Sequence, residues 1–151
     1  MSHVSKLSGM KIKDEAAMRA AVADLTAKGI KCELVQNAVP RMHGQREEQA
    51  VGKCDYVLKL PNGKYDVGFK KQSDGTFQAV IDTYGNHVGG QIGAACPMPN
   101  SAEGRVQHQM GQFMQNYAKH AAMNAARAKG MNVLGATVDE TTGDVKVRLK
   151  A

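Results

Sequence analysis

Between Cys54 and Ile81 the chain alternates apolar and polar residues three times, with a glycine turn at each reversal. Cys54, Tyr56, Leu58 and Leu60 form one row, with Asp55 and Lys59 between them. Pro61-Asn62-Gly63 then makes a hairpin turn, because Asn-Gly accepts the positive φ such turns require. Tyr65, Val67 and Phe69 form a second row, Asp74-Gly75 a second turn, and Phe77, Ala79 and Ile81 a third row. A period of two marks a strand with one buried face. Three such antiparallel strands cannot bury their apolar face among themselves, so another layer must cover it.

Two helices supply that layer. Asp14 reads as an N-cap and Glu15 suits the first turn. Met18, Ala21, Val22 and Leu25 follow at helical spacing, and Lys28-Gly29 is a stop. Asn100 and Glu103 suggest a capping box for a second helix. Val106, Met110, Phe113, Tyr117 and Ala121 form its stripe, widened by Met114, Ala118, Ala122 and Ala125, and Lys129-Gly130 ends it. The spacing thus predicts helices over about 14–28 and 101–129. Val4, Leu7, Met10 and Ile12 read as a first strand kinked at Gly9, and Ile30, Cys32, Leu34 and Val35 as a second. Val133–Val138 and Val145, Val147, Leu149 read as a closing hairpin turned at 141–144. The expected fold is one α+β domain over residues 1–151. It is a two-layer sandwich: a mainly antiparallel sheet of about six to seven strands, with both helices on one face. The echo of Ala27-Lys28-Gly29-Ile30 in Ala128-Lys129-Gly130-Met131 raises a repeated β-α-β-β unit, although a shared helix end explains it equally well.

The stretches 36–52 and 85–102 lack a period and read as long loops, which leaves any function to them. No catalytic signature occurs: no phosphate-binding Gly-Lys-Ser/Thr loop, dinucleotide fingerprint, nucleophile elbow or His-Glu-x-x-His pair. Arg41, His43, Gln45 and Arg46 make the sharpest cluster, since cations on a glycine-bearing loop suit phosphate or carboxylate. A solvated loop balanced by Glu47 and Glu48 is the plainer alternative. Lys146, Arg148 and Lys150, with Lys59 nearby, line an outer strand face that could follow a phosphate backbone, but no aromatic interleaves for base stacking. Asp66 and Asp82 fall on outward strand faces, where cross-strand contact with Lys59 or Lys70 is expected. His108 and His120 are too far apart on one helix to share a metal. His3 would chelate copper only with Met1 retained, and Ser2 favours its removal.

The net charge of +6 lies mostly in the first half and is mixed with acids, so it permits an acidic partner without requiring one. Nine methionines and no Trp point to Met as core filler. Three widely spaced cysteines suit neither a disulfide framework nor zinc, and Cys54 reads as a buried small hydrophobe. With no apolar run long enough for a membrane and no signal region at the start, the expected location is the cytoplasm.

Several segments, in order, resemble one family. The start Met1-Ser2-His3-Val4-Ser5 resembles the Met-Ser-His-Phe-Ser opening of the "hypothetical chloroplast reading frame 35" proteins, a domain-of-unknown-function family of plastids, cyanobacteria, other bacteria and some phages. Asn37-Ala38-Val39, Arg41 and Gly44-Gln45 are similar to that family's Asn-x-x-x-Arg-Gly-Tyr-x-Gly-Gln-like segment. Tyr65-Asp66-Val67-Gly68-Phe69 resembles its Tyr-Asp-Ile-Gly-Phe strand, and Gln115-Asn116-Tyr117-Ala118 its Gln-x-Tyr-Ala helix motif. The closing hairpin also corresponds, whereas residues 85–105 depart toward a longer Gly/Pro-rich stretch. The resemblance implies no established activity. Relatives lie beside genes for AAA+ ATPases, which implies an adaptor to such a partner.

The leading expectation is therefore a non-enzymatic binding or adaptor protein with a protein partner and no cofactor. A basic nucleic-acid-binding domain is the alternative. A metal-dependent or thiol enzyme is the third reading, and it requires His43, His87 and Cys96 to converge from the two loops.

Overall fold

The computed structural model describes residues 4–150, with the side chains of residues 8–10 left out. The readings for His3 and for the Met10 side chain therefore lie outside the described residues. The meander is present as β3 (Cys54–Lys59), β4 (Val67–Lys71) and β5 (Phe77–Asp82). β1 (Val4–Ile12) and β2 (Glu33–Ala38) complete a five-stranded antiparallel sheet in the order β1-β5-β4-β3-β2. Tyr56 stands opposite Phe69, Phe69 opposite Ala79, and Ala79 opposite Leu7, so the apolar rows align across the sheet. α1 (Glu15–Ala27) and α5 (Gly111–Ala128) lie together over this face. The main core between them includes Met18, Leu25, Leu58, Phe69, Ile81 and Phe113.

The α+β class and the antiparallel sheet agree with the sequence, but the seven strands do not form one sheet. β6 (Val133–Val138) and β7 (Val145–Leu149) make a separate hairpin. It lies against α5, to which Val133, Ala136, Val138, Val145 and Val147 offer a half-buried row. Such a row serves a helix flank as well as a sheet edge, and periodicity alone does not choose between them. The two helix ends echo each other in geometry. Gly29 and Gly130 have φ of +93° and +81°, and Ile30 N and Met131 N donate back to Leu25 O and Ala126 O at 3.0 and 3.1 Å. Two strands follow each stop, but a helix at Gln45–Val51 separates β2 from β3, and these enter the large sheet, whereas β6 and β7 follow directly and stand apart.

The second predicted helix is broken. α4 (Ala102–His108) ends before Met110, whose φ and ψ are −102° and 11°, and α5 starts at Gly111. A Cβ on Gly111 would lie 2.8 Å from Ala94 N, so the chain at 93–96 crosses where only glycine fits. Ala94 N donates to His108 O at 2.9 Å and seals the break. The cap of α4 is Ser101, which accepts from Gly104 N at 3.0 Å, one residue past the expected Asn100.

Asp14 does cap α1, accepting from Ala17 N at 3.0 Å. The Tyr117 hydroxyl accepts from Lys13 N and Asp14 N at 2.8 and 3.0 Å, which ties α5 to the start of α1. The Asn124 amide, donating to Asp14 Oδ2 at 3.0 Å, leads in holding this carboxyl below its ordinary value, against the opposing effect of burial. A depressed carboxyl stabilises the fold above its unfolded value of about 3.9, and that stability is lost as pH falls through the folded value. Asp14→Ala is expected to cost about 1 kcal/mol at neutral pH, and the gap from wild type should narrow in urea melts as pH falls below the unfolded value of about 3.9.

Candidate functional site

The stretch 36–52 is not a free loop. β2 continues to Ala38, and α2 (Gln45–Val51) follows a short strap at residues 39–44. Strap and α2 lie on the sheet face opposite α1 and α5, so that face is also partly covered. Asn37, at φ +51°, reverses the alternation: Gln36 bonds the Tyr56 hydroxyl on the helix side, whereas Ala38 joins the core on the other. Asn tolerates this left-handed geometry better than most residues. The second core contains Met42, Val51, Cys54, Val57 and Val80. Gly68 is required there, because its Cβ would stand 2.6 Å from Cys54 Sγ. Burial pushes the Cys54 thiol above its ordinary value.

Two carboxylates fasten the strap. Asp66 and Asp82 are 1% and 0% exposed. They face away from α1 and α5, as expected, but they do not pair with Lys59 or Lys70. Asp66 accepts from Arg41 N, Nε and NH2 at 3.0, 3.1 and 3.0 Å, and from Leu60 N at 3.1 Å. The strap covers what looked like open sheet, so the acids are satisfied from above. The Arg41 guanidinium also donates to Leu60 O and Gly63 O at 2.9 and 3.1 Å, and its hydrogen bond with Asp66 raises it above its ordinary value. Asp82 accepts from His43 N at 2.7 Å and from Tyr84 N at 2.9 Å. Arg41 is thus a structural clamp here. Lys70 instead donates to Val51 O at the end of α2.

The two irregular segments meet around Tyr65. His43 Nδ1 lies 2.8 Å from the Tyr65 hydroxyl, and the His43 ring stacks on Tyr84 with centroids 4.2 Å apart. His87 meets the edge of Tyr65 at 4.9 Å. Burial raises the Tyr65 phenol above its ordinary value, with Asp82 and Tyr84 adding to the effect. The stretch 85–102 is itself partly helical, with α3 at Gly89–Ile92. Cys96 does not join the two histidines: it lies against α4, its carbonyl accepting from His108 Nε2 at 2.8 Å. The other helical histidine, His120, donates to Asp24 at 2.6 Å. Among the described residues, no three His, Cys, Asp or Glu are placed to hold a metal.

Gln45 and Arg46 start α2 and are exposed. Arg46 lines a cleft of about 760 Å³ between α2 and the β1 side of the sheet, with Lys6, Lys70 and Glu47. Val4, Val51 and Val80 form its apolar lining. Lys6 and Lys70 were not among the candidates singled out in the sequence. Strand parity was the available signal, since Lys6 stands opposite Val80 and Lys70 lies two residues from Gly68 on the same face. Lys146, Arg148 and Lys150 are exposed on the separate hairpin, and Lys59 lies on β3 of the large sheet and does not extend their row.

No helix among the described residues is long and apolar enough to cross a membrane. Neither a curated protein nor a solved structure matches the chain. The profile of DUF1257, described as a protein of unknown function, matches residues 21–148. That span runs from within α1 into β7 and includes the strap, α2 and both carboxylates, while β1 precedes it. The chain therefore belongs to the DUF1257 family of proteins of unknown function.

Proposed function

We propose that the protein is a non-enzymatic binding or adaptor module whose binding surface is the cleft beneath α2. The observation that supports this reading is an apolar lining bordered by Lys6, Arg46 and Lys70, beside a strap fixed by buried Asp66 and Asp82. A preformed concave site, mostly apolar with a few placed charges, is the usual form of a binding pocket. The three cations against one acid favour an acidic occupant. A protein partner fits this, and the resemblance to the hypothetical chloroplast reading frame 35 proteins makes an AAA+ ATPase the first candidate.

Ala50 lines the cleft from the exposed side of α2, so Ala50→Trp should fill it without disturbing the core. Tagged wild-type protein is expected to retain a stoichiometric partner from native lysate, and Ala50→Trp to lose it at an unchanged melting temperature. Retention by both proteins, or no stoichiometric partner at all, would contradict the reading. Nucleic-acid binding rests on a separate observation, the exposed row Lys146, Arg148 and Lys150. It predicts salt-sensitive retention of an oligonucleotide at about 50 mM salt that Ala50→Trp leaves intact.

A further inference from the structure

The cleft is continuous with a strand edge. Among the described residues, β1 is the outermost strand of its sheet and pairs with β5. Val4 and Lys6, two residues apart on this strand, both line the cleft. Among the described residues, no turn or loop backbone group bonds to Ser5, Lys6 or Leu7. An edge strand presents outward N–H and C=O groups that can pair with another extended chain.

We infer that the cleft takes an extended acidic peptide, which adds as a strand to the edge of β1 and points alternate carboxylates at Lys6 and Arg46. This rests on the cleft being the binding surface. Three features converge on it. The edge supplies main-chain hydrogen bonds, the general source of affinity in strand addition. Val4, Val51 and Val80 supply apolar contact for the methylene stems of those acids. The cations supply charge complementarity that rejects basic chains, including a second copy of this protein at net +6. The regular β1–β5 pairing spans Val4 to Leu7 and then shifts register before Ile12, so the added strand pairs over a short stretch only. The plainer reading is that Lys6 merely guards an edge against aggregation. That reading gives no reason for Arg46 to face the same space as Lys6.

The test uses the full chain, isotope-labelled, and a synthetic seven-residue peptide of alternating valine and glutamate, probed by amide chemical shifts. Saturable shifts are expected at Lys6, Arg46, Lys70 and Val80, with slowed amide exchange in Ser5–Leu7. A peptide with lysine in place of glutamate should not bind. Lys6→Glu and Arg46→Glu, both at exposed positions, should each weaken binding by about tenfold. N-methylation of the peptide at one alternate set of amides should abolish binding, and at the other set leave it intact. The inference is overturned by no saturable shift at millimolar peptide, by shifts in α2 without protection of Ser5–Leu7, or by equal binding of the lysine peptide. It is also overturned if decanoate or an oligonucleotide occupies the cleft and the acidic peptide does not. A partner lost on Ala50→Trp with no acidic-peptide binding would sink only the occupant proposed here. A partner kept by Ala50→Trp would sink the cleft itself.

Discussion

Replacing Asp66 with alanine is expected to lower the unfolding free energy by about 2–3 kcal/mol and to abolish partner capture. The carboxylate is buried and accepts four hydrogen bonds, three of them from Arg41. Removing one member of a buried pair typically costs about 3–5 kcal/mol, because the other charge is stranded. The Arg41 side chain, however, is 44% exposed, so water recovers much of its guanidinium and the lower range applies. Leu60 N loses its carboxylate acceptor and carries the remaining cost. The loss should be local. With the strap unfastened, α2 loses its fixed distance from the sheet, while the main core is untouched. Urea melts should show a lower midpoint with little change in slope, and hydrogen exchange should speed up first in residues 39–51. A loss below about 0.5 kcal/mol would mean that the clamp is cosmetic.

Phe113→Ala should cost more, about 3–5 kcal/mol, and act on the whole molecule. Phe113 is fully buried on α5, 5.3 Å from the ring of Phe69 on β4 and 6.4 Å from that of Tyr117. It joins the sheet to the helix layer, and no neighbour of similar size can refill the space. For a chain of this length the melting temperature should fall by roughly 10 °C in calorimetry. The two variants separate the layers. Below its lowered melting temperature, Phe113→Ala should still capture the partner, whereas Asp66→Ala should not. Equal loss of binding in both would indicate that binding tracks overall stability and not the strap.

The parts legible in the sequence are those with a period. The rows of the meander, the Asp14 cap and the glycine stops at Gly29 and Gly130 each follow from local rules and are present, except that Cys54 leaves the row of Tyr56 and Leu58 for the second core on the other face. Strand parity also placed Asp66 and Asp82 on the correct face. It could not show that the face is covered, because the strap has no period and contributes mainly Met42 and Pro40 as buried residues. Val57 and Val80 fall between the predicted rows, and they build the second core. Arg41 stood out as a cation on a loop, and only its buried partner shows it to be a clamp. Gly111 hid inside an otherwise continuous helical stripe, since its role depends on a crossing at Ala94 far away in sequence. The division of the strands between two sheets has the same origin, for a half-buried row does not name the surface it meets.

Per-residue amide exchange at Arg41, His43, Leu60 and Tyr84 tests the account most directly. These four backbone N–H groups donate to the buried carboxylates of Asp66 and Asp82, and none belongs to the ladder of a regular strand. The account predicts protection comparable to the central strands β3–β5, with Arg41 and Leu60 losing it together in Asp66→Ala. Exchange at the rate of an unstructured peptide in the wild type would show that the strap is not fastened. The cleft beneath α2 would then have no fixed wall.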